Sequence, residues 1–185
     1  GYVDAQIESL SFKEKSGFEL SDLTADVLYS PEIIDLRSFG LRMPDSEISL
    51  RPIRLTLDKS KSLADNIRKA ELRLQPADVW RIATADLACL TPVLGRIDRV
   101  VSINFDITAS MRQIALHRLD LSDPQWLRLS LSAVVDRPDS IDVMHARADI
   151  DRLYVNAAEG AGLISLFSPE AAPYISRTGS VTARG

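Results

Sequence analysis

The chain has one cysteine, few aromatic residues and no long apolar run, and each scarcity narrows the class of protein. The single cysteine, Cys89, excludes an internal disulfide, and its apolar neighbours predict a small buried side chain. No stretch reaches the ~20 consecutive apolar residues of a membrane-spanning helix, and no signal peptide is recognisable. Aromatic residues make up only 6% of the chain while apolar residues make up 45%. Any buried surface is therefore built mostly from Leu, Ile, Val and Ala.

Groups that carry enzymatic chemistry are equally scarce. The two histidines, His117 and His145, fall in different predicted strands, and neither has partners at metal-ligand spacing. Gly160 and Gly162 lack the third glycine and the preceding strand of a phosphate-binding loop. The many aspartates fall where turns and solvent-facing strand positions accommodate them. We therefore predict a protein without enzymatic activity, bound metal or cofactor.

Charge is nearly balanced along the chain. Lysine and arginine total 22 and aspartate and glutamate total 26, for a net charge of -4. No basic stripe is present, so nucleic acid is not expected as a partner. Charged and apolar residues alternate, which is typical of a sheet with one solvated face.

Alternation of apolar and polar residues is clearest between residues 18 and 57. Three segments there place apolar residues at every second position, and turn-forming residues separate them at 30–32 and 44–46. A period of two is the mark of a strand with one buried face. The pattern predicts three consecutive antiparallel strands.

Each of these segments shifts its apolar row by one residue near its middle. The residues flanking the shifts are Leu20 and Leu23, Leu36 and Phe39, and Leu50 and Ile53. A β-bulge at each shift would keep the row on one face and bend the strand. A true change of face, as when a strand passes between the two sheets of a sandwich, explains the pattern equally well.

Related shifts recur before and after this region. They separate Ile7 from Leu10, Ile67 from Ala70, and Leu116 from Leu119. Two short helices are predicted, at 84–95 with Thr84 as N-cap and at 156–167, and a helix over 76–90 is the alternative to the first. The predicted fold is mainly β, an antiparallel meander forming a strongly curved, groove-like sheet, with a β-sandwich as the alternative. We expect one unit over 1–185, with candidate sub-boundaries near 58–66 and at the helix 84–95.

The predicted strands offer more apolar surface than two short helices can cover. Burying a large apolar side chain is worth ~1.5–3 kcal/mol, so the rows must be covered by something. A sandwich would pack them against each other, whereas a curved sheet would hold them in a trough open to acyl chains. The candidate lining of such a trough is Leu20, Leu23, Leu36, Phe39, Leu50, Ile53, Ile103, Phe105, Leu116 and Leu119.

Three strings of the sequence resemble the AsmA/TamB superfamily, in particular the TamB-like proteins of Bacteroidetes. They are residues 10–30 (LSFKEKSGFELSDLTADVLYS), 41–50 (LRMPDSEISL) and 84–92 (TADLACLTP). The last string is similar to a short helix that recurs in that family. Together with the spacing to residues 153–155, the likeness covers most of the chain.

The resemblance implies repeated strands that form a taco-like groove with an apolar lining. It implies a non-enzymatic, periplasmic segment of a protein anchored in the inner membrane. Such a segment would shield phospholipid acyl chains during transport between the inner and outer membranes. It would also support outer-membrane protein assembly with a BamA-like partner, through regions outside this chain. We accordingly expect an internal fragment of a longer repetitive β domain. A structural or protein-docking β module without a lipid groove is the alternative.

Overall fold

A computed structural model describes residues 1–90, 94, 97–156 and 181–183 of the chain. Its strands form a single 12-stranded antiparallel sheet that runs as a meander. The strands at the two ends of the sheet do not pair with each other, so the sheet is open. The prediction of a mainly β antiparallel meander with a curved, groove-like sheet is confirmed, and the alternative of two packed sheets is wrong.

Long strands form the two flanks of the sheet and short ones form its middle. The strands are β1 (Val3–Lys13), β2 (Glu19–Tyr29), β3 (Ile33–Arg42), β4 (Glu47–Leu50), β5 (Ile53–Thr56), β6 (Leu72–Leu74), β7 (Trp80–Ala83), β8 (Val100–Ala109), β9 (Gln113–Asp123), β10 (Leu127–Asp136), β11 (His145–Val155) and β12 (Val181–Ala183). The helix α1 (Leu63–Lys69) and two 3-10 turns, Ala85–Leu87 and Ile141–Val143, complete the described elements.

In the middle of the sheet, two short strands twice take the place of one long strand. β4 and β5 both pair with β3, and β6 and β7 both pair with β8. Pro52 lies in the first break and Pro76 in the second, where a missing backbone N–H costs no ladder hydrogen bond. The two breaks meet, because Leu50 bridges to Pro76 and the Arg51 amide donates to the Gln75 carbonyl at 3.0 Å.

Bulges in the neighbouring strands continue the line of these breaks. The inserted residues are Arg37 in β3, His117 in β9 and Asp151 in β11. The register also changes between Ile7 and Leu10 and between Leu20 and Leu23, where β1 pairs with β2. The shifts predicted at these strands are therefore bulges and not changes of face. Because a bulge bends its strand and increases the local twist, the aligned insertions mark the bend of the sheet.

The helical segments differ from those predicted. The Ile67–Ala70 spacing was expected to begin a strand, but Leu63–Lys69 is a helix. The Ser62 hydroxyl caps it by accepting a hydrogen bond from the Asp65 amide at 3.1 Å, and basic residues occupy its last turn. The error arises because a spacing of three residues fits a helix as well as a bulged strand.

The predicted helix at 84–95 is reduced to the 3-10 turn Ala85–Leu87 in the described part of that stretch. Thr84 makes no side-chain cap there; its hydroxyl contacts the carbonyl oxygens of Ile97 and Arg99. Beyond Asn156, the predicted helix at 156–167 lies outside the described residues. Among the helices that are described, none is long and apolar enough to cross a membrane.

Arginine–aspartate pairs link neighbouring strands on the face of the sheet that is opposite the apolar rows. Asp35 on β3 is only 5% exposed and accepts two hydrogen bonds from Arg54 on β5, from Nε at 3.2 Å and Nη2 at 2.5 Å. The Arg54 guanidinium holds the pKa of Asp35 below its ordinary value, against the opposing effect of desolvation. Arg73 on β6 lowers the pKa of Asp106 on β8 in the same way.

The Asp35–Arg54 pair predicts a specific dependence of stability on pH. A carboxyl whose folded pKa lies below its unfolded value of about 3.9 stabilises the fold above that pH. It loses this contribution as the pH falls through the folded value. We expect Asp35→Asn to have a lower Tm than the unmodified protein at neutral pH and to lose less Tm between pH ~5 and ~2.

Circular dichroism melts across this pH range measure both effects. Asp139→Asn removes an exposed carboxyl in the turn after β10 and should retain the unmodified pH profile. If the Asp35→Asn and unmodified profiles run parallel, Asp35 does not carry the effect.

Candidate functional site

The cross-strand register places the apolar rows of all strands on one face, which we call the apolar face. Residues directly opposite in an antiparallel pair share a face. One continuous row runs across β8 to β11 through Phe105, Leu119, Leu131 and Ile150. A second row runs across β1 to β4 through Ile7, Ala25, Phe39 and Leu50. The apolar face therefore extends over the whole width of the sheet.

All ten predicted lining residues lie on the apolar face. Leu36 is opposite Ile53, Phe39 is opposite Leu50, and Phe105 is opposite Leu119. Leu20 is buried, and the other nine residues are half-buried. The structure groups them on β2 to β5 and on β8 to β9, on either side of β6 and β7.

The link between these two groups was missed by the sequence reasoning. Trp80 on β7 lies opposite Ile103, and its ring packs edge-on against Phe105 at a centroid distance of 4.8 Å. Its Nε1–H donates to the Ser49 carbonyl at 2.6 Å, which fixes the ring beside β4. A lone tryptophan in a short segment offers no periodic signal for this role. The leucines of β10 did alternate and could have been added to the predicted lining.

Within the part of the chain that the structure describes, no second layer covers the apolar face. Along β1 the apolar residues Val3, Ile7, Leu10 and Phe12 are 40–55% exposed. Apolar residues of β8, in the interior of the sheet, are half-buried throughout. The most buried apolar residues instead include several at turns and strand ends, such as Met43, Leu57 and Ile97. A facing sheet would have buried the central rows fully, so this face is an open apolar surface.

The apolar face carries one charged residue among the paired positions of the described strands. This residue is Asp123, at the end of β9 opposite Leu127. It is 3% exposed and accepts hydrogen bonds from the amides of Gln125 and Trp126 at 2.8 and 3.1 Å. Its carboxylate also lies 3.8 Å from the Arg99 guanidinium. Asp123 thus shapes a turn at the rim, and the remainder of the face is hydrocarbon and aromatic rings.

The opposite face, which we call the polar face, contains several clefts. One of about 320 Å³ is lined by Arg81 and Asp98 and reaches Asp123 at the rim of the sheet. A larger one of about 430 Å³ lies among Arg128, Arg152, Tyr154, Thr182 and Pro124. The two faces therefore offer opposite chemistries on one layer of backbone.

The two histidines, which the sequence offers as possible catalytic or metal-binding residues, do not lie together in the structure. Nε2 of His117 lies 2.9 Å from the Thr108 hydroxyl. His145 is on β11, at the position opposite Asp136, the last residue of β10. Over the part of the chain that the structure describes, no group of three or more potential metal ligands is found. Cys89 is half-buried, which corrects the prediction of a buried side chain.

The face assignment predicts different stability effects for two adjacent residues. Leu36→Gln removes a half-buried aliphatic side chain between Val27 and Ile53 and should cost ~1–2 kcal/mol. Arg37→Gln removes exposed ion pairs to Asp4 and Asp26 and should cost under ~1 kcal/mol. Urea denaturation of both variants measures the difference. Equal losses would contradict the placement of the two residues on opposite faces.

Comparison with known proteins does not assign the chain to a family. No family model, no curated protein and no solved structure matches it. The resemblance to the AsmA/TamB superfamily stays a prediction, and function has to be argued from the two faces of the sheet.

Proposed function

We propose that the apolar face binds phospholipid acyl chains. In this proposal the chain is a non-enzymatic, periplasmic segment of an inner-membrane-anchored protein. It shields acyl chains during their transport between the inner and outer membranes. The observation that carries the proposal is a continuous apolar face, from β1 to β12, which no other described segment covers.

The size and continuity of the face suit a long hydrocarbon. Neighbouring strands lie ~4.8 Å apart, so the strand order from β1 to β12 extends ~40 Å along its arc. The bend line follows this arc and crosses the strands. An acyl chain lying along the bend would therefore contact side chains from several strands and could move from one strand to the next without leaving apolar surroundings.

The composition of the face also favours hydrocarbon over a protein partner. Protein interfaces carry about one hydrogen bond per 100–200 Å² and a polar rim. Here the paired strand positions offer aliphatic side chains and a few rings, and Asp123 is already engaged in its turn. An acyl chain needs no hydrogen bonds and gains ~25 cal/mol for each Å² of apolar area removed from water.

A docking module is the second candidate function, and β1 favours it. All eleven residues of β1 are exposed, and among the described strands β1 pairs only with β2. An unpaired strand edge presents free N–H and C=O groups that can pair with a strand of another protein. Support of outer-membrane protein assembly with a BamA-like partner, through regions outside this chain, would use such docking.

Acyl-chain binding predicts a dependence of affinity on chain length. Each buried methylene contributes ~0.8 kcal/mol, so each added CH₂ should tighten binding about fourfold until the trough is filled. Displacement of a fluorescent fatty acid by saturated fatty acids of increasing length measures this series. Native mass spectrometry of the purified protein should detect bound phospholipid.

Two adjacent residues of β8 provide the matched control. Phe105→Gln places a polar amide on the apolar face, and Asn104→Gln leaves an amide on the polar face. We expect Phe105→Gln to weaken fatty-acid binding about tenfold and Asn104→Gln to leave it unchanged. Affinity that is independent of chain length, or equal losses in the two variants, would refute acyl-chain binding and leave the docking module.

A further inference from the structure

Most arginines on the polar face form an ion pair with an aspartate, but within the described part of the chain two arginines on β10 and β11 do not. Six arginines of the strands pair with an aspartate; they are Arg37, Arg42, Arg54, Arg73, Arg118 and Arg147. Arg81 on β7 lies opposite Glu47 on β4. At the paired positions of the described strands, Arg128 on β10 and Arg152 on β11 have no acidic residue directly opposite.

The surroundings of these two arginines are neutral and polar. Arg128 lies opposite Ser122 on one side and Tyr154 on the other. Arg152 lies opposite Ser130, whose hydroxyl donates to Asp120 at 2.6 Å. Asp120 is also engaged by Arg118, so it is not available to neutralise Arg152.

The register brings the two guanidinium groups to one cleft. Arg152 is the diagonal neighbour of Arg128 across the β10–β11 pair, and such neighbours lie about 7–8 Å apart, within reach of long side chains. The cleft of about 430 Å³ that they line also contains Tyr154 and Thr182. Among the described residues, no acidic side chain lines this cleft, whereas Asp98 and Asp123 line the one beside Arg99.

We propose that this cleft binds an oxyanion of the phosphate class. Two guanidinium forks match the tetrahedral oxygens of a phosphate group and form charge-assisted hydrogen bonds to it. The hydroxyl groups of Tyr154 and Thr182 supply further donors at the wall. The bound anion would supply the negative charge that aspartates supply elsewhere on this face.

The site is independent of the acyl-chain proposal because it lies on the opposite face of the sheet. Arg128 alternates with Leu127 and Leu129, and Leu129 lies opposite Leu121 on the apolar face. The phosphate is either free in solution or part of a lipid headgroup in a membrane surface, and the experiment separates the two sources.

The test is isothermal titration of the whole chain with inorganic phosphate at constant ionic strength. Arg128→Gln/Arg152→Gln should weaken phosphate binding by at least about tenfold. The control Arg112→Gln/Arg147→Gln removes the same charge from the 110–112 turn and from a side chain that is 81% exposed. It should retain the affinity of the unmodified protein within about twofold.

A sedimentation assay with vesicles identifies the source of the phosphate. Binding to phosphatidylglycerol vesicles but not to phosphatidylcholine vesicles, with competition by inorganic phosphate, supports a headgroup. Phosphate binding without vesicle binding supports a free phosphate compound. Circular dichroism establishes that both double variants are folded. No phosphate binding by the unmodified protein, or equal losses in the two double variants, would overturn the proposal.

Discussion

The structure depends on keeping every apolar row on one face while the strands bend. A strand alternates its faces with a period of two, so one uncompensated extra residue would turn the rest of the row to the other side. In β3, β9 and β11 the extra residue is Arg37, His117 or Asp151, and the bulge absorbs it. The inserted residues are polar, and the rows on either side of them stay apolar. The bend and the single apolar face thus have the same cause.

The two faces of this sheet are stabilised by different interactions, ion pairs on one and apolar contacts on the other. On the polar face, Arg54–Asp35 joins β5 to β3 and Arg73–Asp106 joins β6 to β8. On the apolar face, Trp80 contacts Phe105 and joins β7 to β8, but the apolar side chains stay partly accessible. Exposed apolar area of this extent is costly in water, and this cost is the reason for proposing an apolar occupant.

One face of the sheet is apolar and the other is polar, and we propose a different ligand for each. Hydrocarbon would lie along the bend on one side, and an oxyanion would lie between Arg128 and Arg152 on the other. Neither role needs a nucleophile, a general base or a metal. The long exposed edge of β1 adds a third surface, at which strand pairing and not side-chain chemistry would govern recognition.

The sequence by itself determined most of the strand pattern, most positions of the shifts and which residues share the apolar face, because a period of two is a local property of the chain. It could not separate the Ile67–Ala70 spacing of α1 from a bulge, since both place apolar residues three apart. It also could not place Trp80, whose role depends on β4 and β8. Only the tertiary structure decided between bulge and change of face, and between open sheet and sandwich. The physical reason is that register and coverage depend on distant segments, as does the meeting of Arg128 with Arg152.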